Sequence, residues 1–229
     1  MHLAFSRRLL LSTAVALTAI VAGAHTLTGR DSSSSGTYGW RIGAVRLQSA
    51  GVMQFGPDGT LFVADSRAGA VYALDVAEPT RDTSTTGLRI DDVDTKIAAA
   101  LGTSRDEIRM RDMVAHPLSQ SLYFSVARGR GPDATSVIAR ITKKDGRVTV
   151  LPLESIRHAR AELPDAPAPD AKTQWGEPTR TLAITDLALA NGELYVAWRM
   201  VDGLRRANHG RMPSWSFRYA ELGKQNTHS

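Results

Sequence analysis

The stretch GVMQFGPDGTLFVADSRAGAVYALDV, residues 51–76, decides the fold class. It holds three short runs rich in β-branched and aromatic residues, at 52–55, 61–64 and 70–74, and Gly-Pro-Asp-Gly separates the first two runs. Pro57 presets the backbone of a tight turn, and Gly59 accepts a positive φ because it has no Cβ atom. The stretch therefore predicts a meander of three antiparallel strands.

Two weaker copies of this pattern follow, RDMVAHPLSQSLYFSVARG at 111–129 and TDLALANGELYVAW at 185–198. Each copy has an apolar run, a tight turn and a second run with a Leu-aromatic pair, so that Phe62, Tyr123 and Tyr195 correspond. Core residues that stack between sheets are the simplest interpretation of these aromatic positions. The repeats predict an all-β chain with meanders at 42–76, 110–153 and 184–198.

One short helical insertion interrupts the β pattern. Val93, Ile97 and Leu101 form an apolar stripe at helical spacing, and Gly102 follows as a stop signal. By contrast, residues 154–180 carry four prolines among acidic side chains, which predicts a long surface loop without helix or ladder. Residues 199–229 have no alternating pattern and carry six basic and two acidic residues, so we expect an off-pattern basic tail that adds no strand.

Composition narrows the functional classes. The chain has 229 residues, 42% hydrophobic and 22% charged, which is typical of a globular domain, and it has no cysteine for a disulfide or a thiolate site. The formal charge of +5 comes from the two ends, because residues 31–198 hold 19 basic and 21 acidic side chains. A mildly acidic domain argues against nucleic acid as a partner.

The N-terminus has the order of regions found in export signals. Arg7 and Arg8 precede the uncharged apolar run 9–21, and Ala-Gly-Ala ends at residue 24, so we interpret 1–24 as a signal peptide. The paired arginines also fit a twin-arginine signal, and a retained membrane anchor is the alternative. Residues 25–41 read as a flexible Ser/Gly-rich linker. The expected location is periplasmic or extracellular, with membrane contact only if the signal is not cleaved.

The repeated unit of apolar strand, Pro-Asp-Gly turn and Leu-Phe-Val-Ala-Asp resembles exported bacterial β-propellers of the NHL and SMP-30 (gluconolactonase)-like kind. The resemblance covers about residues 45–198 and implies a partial β-propeller domain at 42–198, with about three four-stranded blades. Such propellers usually close with six or seven blades, so the resemblance also implies a truncated gene product or closure by self-association through open blade edges. Propellers carry many unrelated functions, and the resemblance indicates fold more than activity.

Candidate metal ligands come from the same resemblance. Asp112 and Asp186 stand before the first strand of their repeats, where SMP-30-like propellers hold a divalent metal in the central channel. Ca²⁺ takes about 6–8 oxygen ligands, so two aspartates supply only part of a site. The competing interpretation is that each aspartate caps a turn, as is expected for Asp58 and Asp65. The first repeat has Gly51 at the corresponding position.

No catalytic motif stands out, since the histidines lack metal-binding spacing and no nucleophile or phosphate-loop signature is present. The sequence favours an exported propeller-type module that binds a protein partner or a small ligand and needs no cofactor. The alternative is an SMP-30-like, Ca²⁺-dependent hydrolase of the lactonase type, or an inactive remnant of one.

Overall fold

The computed structural model describes residues 39–78, 81–84, 87–163, 166–173, 175–190, 193–198 and 214–218. The described strands are β1 (Arg41–Gly43), β2 (Ala50–Phe55), β3 (Thr60–Asp65), β4 (Ala70–Asp75), β5 (Ile108–Ala115), β6 (Leu122–Arg128), β7 (Thr135–Ile141), β8 (Val148–Val150), β9 (Ile156–Glu162), β10 (Ile184–Ala190), β11 (Glu193–Trp198) and β12 (Ser214–Arg218). One α-helix, α1 (Val93–Ala100), and three single-turn 3₁₀ helices, Arg105–Glu107, Gly131–Asp133 and Thr179–Leu182, complete the described elements. The predicted all-β class is confirmed.

The strands form three antiparallel sheets. Sheet A has the order β1-β9-β4-β3-β2, sheet B the order β5-β6-β7-β8, and sheet C the order β10-β11-β12. The first strand of each sequence repeat lies at one edge of its sheet and is bulged, because the register shifts between Ala50 and Met53 in β2, between Met110 and Asp112 in β5, and between Ile184 and Asp186 in β10. The described sheets do not close into a ring.

Sheet A lies between the other two sheets. One face packs Leu61 and Leu74 with Tyr123 of sheet B, and the other packs Phe62 with Leu194 of sheet C. All six residues of β3 are buried for this reason, which accounts for the uninterrupted apolar run at 61–64. The first strands are neighbours in the order β10, β2, β5, so sheet C adjoins sheet A rather than sheet B.

Helix α1 covers the remaining face of sheet B, where Ile97 and Leu101 pack against Phe124 and Ile141. The apolar stripe predicted for residues 93–101 is therefore confirmed. Asp92 stands at the N-terminal cap position but forms no capping hydrogen bond through its side chain. Of the described residues, none belongs to a helix that is long and apolar enough to cross a membrane.

Two sequence predictions are wrong. Residues 156–162 are not part of a surface loop: they form β9, which inserts between β1 and β4 of sheet A. The four prolines that suggested a loop all lie beyond Glu162 and leave this segment free to pair. Residues 214–218, expected to add no strand, form β12 and pair with β11. The signal peptide 1–24, most of the linker 25–41 and the rest of the tail 199–229 lie outside the described residues.

Candidate binding surface on β5

Strand β5 carries one of the two predicted metal ligands. The Asp112 carboxylate accepts a hydrogen bond from the amide of Met53 on β2 at 2.7 Å, and another from its own neighbour, Met113, at 2.8 Å. Asp112 therefore joins the first strands of sheets A and B. In β5 and β10 the aspartate accepts a hydrogen bond from the amide of the next residue. The residue before Met53 is Val52, which has no carboxylate, and the Met53 amide donates to Asp112 instead. By the strand registers Val52 is the counterpart of Asp112, which corrects the sequence-based choice of Gly51.

Asp186, the second predicted ligand, repeats half of this arrangement. Its Oδ1 accepts a hydrogen bond from the amide of Leu187 at 2.8 Å, and the side chain is exposed. Strand β2 lies between the strands that carry Asp112 and Asp186. Within the described ranges, no group of three or more His, Cys, Asp or Glu side chains could hold a metal ion. Both aspartates accept hydrogen bonds from backbone amides, as the capping interpretation requires, but they lie within bulged strands and not in turns.

Strand β5 exposes side chains that the sequence predictions did not single out. Arg109, Met110, Arg111 and Met113, which we name the β5 surface, are all exposed, with Met110 43% and Met113 54% accessible. The bulge after Met110 interrupts the alternation of buried and exposed positions. Neither Arg109 nor Arg111 forms an ion pair with a described residue. The sequence Arg-Met-Arg-Asp-Met could have indicated this exposed surface. A strand with one buried face normally alternates apolar and polar residues, and this segment does not keep an apolar residue at every second position on a buried face.

A cleft of about 730 Å³ opens beside the two arginines. Its other basic residues are compensated: Arg105 pairs with Asp94 at 2.9 Å, and Arg130 pairs with Glu107 at 3.6 Å. Asp106 also lines the cleft, so its four arginines exceed its three carboxylates by one, and this end of the strand is mildly positive.

His116 follows the other end of β5 and organises the turn to β6. Its Nδ1 accepts hydrogen bonds from the backbone amides of Leu118 at 3.3 Å and Ser119 at 3.0 Å. The neutral ring must therefore carry its proton on Nε2. The ring is 2% exposed and packs edge-on against Phe55, with the ring centroids 4.9 Å apart.

A hydrogen-bonded group of three residues lies behind this turn. The Tyr123 hydroxyl donates to Glu78 Oε1 at 2.8 Å, and Arg140 donates to the same oxygen at 3.1 Å. Burial raises the pKa of Glu78, but the hydrogen bond from Tyr123 and the charge of Arg140 outweigh this and leave the pKa below 4.5. Burial, together with the hydrogen bond to Glu78, raises the pKa of Tyr123. These residues tie the segment after β4 to sheet B.

A second cleft, of about 420 Å³, lies at this end of β5 and is named the Glu78 cleft. Its walls include His116 and three carboxylates, from Asp58, Asp75 and Glu78. Trp40 and Arg157 form another wall, with the guanidinium 4.6 Å from the centre of the Trp40 ring and 3.4 Å from Asp75. The two ends of β5 thus differ in charge, one lined by free arginines and the other mainly by carboxylates.

The protonation of His116 should make stability depend on pH. Burial lowers the pKa of His116 below 6.5, although the charges of Glu78 and Asp58 oppose this shift. As the pH falls below 6.5, the unfolded chain takes up a proton that the folded chain does not, so we expect the free energy of unfolding to decrease. The slope for one proton is at most about 1.4 kcal/mol per pH unit. Urea unfolding at pH 7.5, 6.5 and 5.5 measures it.

The variant His116→Gln provides the control for this pH dependence. Glutamine offers a neutral oxygen to the turn amides and has no group that titrates near neutral pH. If its stability fell with pH as steeply as that of the parent between 7.5 and 5.5, His116 would not be the source of the dependence.

Comparisons with known proteins give no match: no family model, no curated protein and no solved structure is similar to this chain. The candidate sites therefore stand on their geometry.

Proposed function

We propose that the chain is an exported, non-catalytic binding module built as a partial β-propeller, and that it binds an acidic segment of a partner protein at the β5 surface. Support for the propeller comes from three sheets that each have one bulged edge strand, with β2 lying beside both β5 and β10. Asp112 bridging β5 and β2 is the kind of contact that joins neighbouring blades at their inner edges.

The observation that carries the binding proposal is the composition of the β5 surface. Two uncompensated arginines stand beside two exposed methionines on an edge strand. Arginine and methionine are both enriched at protein interfaces, while lysine and acidic residues are depleted there. A partner segment that alternates carboxylates with apolar side chains would match both kinds of group, because guanidinium binds carboxylate through paired hydrogen bonds.

Substituting both arginines should remove most of this affinity. We expect Arg109→Ser/Arg111→Ser to weaken binding of a fluorescently labelled peptide of alternating glutamate and leucine by about 5- to 30-fold, since two exposed charge contacts contribute roughly 1–2 kcal/mol together. Fluorescence anisotropy measures the affinity. Binding to the parent should also weaken as the salt concentration rises.

The matched control is Arg81→Ser/Lys144→Ser, which removes the same charge at two exposed positions without ion pairs in the described chain. Equal weakening by both double variants would show that only net charge attracts the peptide, and would contradict a site at β5. A parent protein that does not bind the peptide at all would also refute the acidic-segment proposal.

The hydrolase alternative finds less support in the geometry. A Ca²⁺ ligand at Asp112 would have to give up the amide hydrogen bonds from Met53 and Met113. Asp186 would have to reach the same ion from the far side of β2. We therefore favour the binding module.

A further inference from the structure

The Glu78 cleft is lined by a ring N–H that faces the open space of the cleft and has no acceptor among the described residues. His116 is 98% buried, its Nδ1 is occupied by two backbone amides, and the proton must lie on Nε2. Nε2 lies at the wall of the cleft beside Gly59, and no described residue accepts a hydrogen bond from it. Whatever occupies the cleft beside this N–H, water or a ligand, must therefore accept a hydrogen bond from it.

The position of this donor is built into the fold. The His116 ring is held by the turn amides and by Phe55, and Gly59 leaves the space that Nε2 needs. A Cβ atom on residue 59 would come within 2.6 Å of Nε2, which is closer than nonbonded atoms approach. The N–H is thus directed by its surroundings and does not depend on a flexible side chain.

We propose that the Glu78 cleft binds a small, uncharged, hydroxyl-rich molecule. A ligand here must accept a hydrogen bond from His116 and donate hydrogen bonds to the carboxylates of Asp58, Asp75 and Glu78. A hydroxyl group does both, since it has one donor and two acceptor positions. The cleft, at about 420 Å³, lies within the range of small-molecule sites.

Charged ligands fit this set of groups less well. An ammonium or guanidinium group has no lone pair to offer the His116 N–H. An anion would be repelled by three carboxylates, and the only cationic side chain among the residues that line the cleft is the exposed guanidinium of Arg157.

This inference does not depend on the proposed function, because the cleft and the β5 surface lie at opposite ends of β5. Arg111, the nearer of the two arginines, is five residues from His116, a separation of roughly 17 Å at 3.3 Å per residue. Peptide binding at Arg109 and Arg111 can therefore be absent while polyol binding in the cleft is present, and the opposite result is equally possible.

Nuclear magnetic resonance of the histidine rings tests the proposal on the full chain. Long-range ¹H–¹⁵N spectra should show His116 as the Nε2–H tautomer, and titration with glycerol, D-glucose or myo-inositol should shift its ring signals saturably. Ligand concentrations up to about 100 mM cover dissociation constants in the millimolar range. His158 is the internal control, because Arg41 donates to its Nε2 at 3.0 Å and its Nδ1 lies 2.9 Å from the carbonyl of Ile156.

A pair of matched variants localises the binding. Asp58 and Asp145 both accept a hydrogen bond at 3.1 Å from the amide two residues ahead in a turn, but only Asp58 lines the cleft. We expect Asp58→Ala to weaken polyol binding at least fivefold and Asp145→Ala to leave it unchanged. The proposal is overturned if no polyol shifts His116 saturably, if His158 shifts equally, if both variants act alike, or if arginine or acetate binds and the polyols do not.

Discussion

Replacement of Asp65 with alanine is expected to lower the free energy of unfolding by about 3–5 kcal/mol. The side chain is fully buried at the end of β3. Its carboxylate accepts hydrogen bonds from the amides of Gln48 at 2.6 Å, Ser49 at 2.9 Å and Ala68 at 3.0 Å, and from the Ser49 hydroxyl at 3.0 Å. Alanine leaves all of these donors without an acceptor. Urea denaturation followed by circular dichroism measures the loss.

Two further variants separate the causes of this effect. Asp65→Asn keeps one acceptor oxygen and should lose less stability than the alanine variant. Asp58→Ala removes an exposed carboxylate that bonds only to Thr60 in its own turn, and should cost less than about 1 kcal/mol. A loss below 1 kcal/mol for Asp65→Ala would show that water replaces the carboxylate without difficulty.

Gly59→Ala is expected to lower the free energy of unfolding by about 2–4 kcal/mol. One part of the cost is conformational, because Gly59 has φ +88°, a value that residues with a Cβ atom rarely adopt. The other part is steric, because the new Cβ atom would lie 2.6 Å from Nε2 of His116. The ring cannot move without breaking its hydrogen bonds to the turn.

Gly102→Ala is the matched control for the conformational part. Gly102 has φ +65°, and no atom lies within 4 Å of the position that a Cβ atom would take. We expect this variant to lose about 1 kcal/mol, so the difference between the two variants measures the contact with His116. Equal losses would mean that the turn relaxes and that His116 is not tightly held.

Local pattern was sufficient for much of the fold. Burial of sheet A on both faces produces the uninterrupted apolar runs at 61–64 and 70–74, and the one-sided burial of α1 produces its stripe. Both are properties that neighbouring residues encode. The alternation of Trp215 and Phe217 with Ser216 and Arg218 was also a readable strand signal, and the charge of the tail obscured it.

The interactions missed by the sequence predictions join residues that are distant in the chain. Asp65 reads as an ordinary turn residue, yet three of its donors come from residues 48 and 49. His116 belongs to no recognisable motif. Its ring fits into the turn only because Gly59, 57 positions earlier, has no Cβ atom at the place that the ring occupies. No local period reveals which edge a strand such as β9 will join. Single-sequence patterns therefore predict elements better than sites.

The insertion of β9 between β1 and β4 imposes an order on synthesis. Sheet A receives β2, β3 and β4 early, but its β4 edge stays unpaired until residue 162 has left the ribosome, after the whole of sheet B has been made. Long-range pairing of this kind is slow, and a nascent chain that waits with an open edge can pair with a neighbour. We conclude that the nascent chain is prone to intermolecular strand pairing at β4 during synthesis, until β9 pairs with that edge.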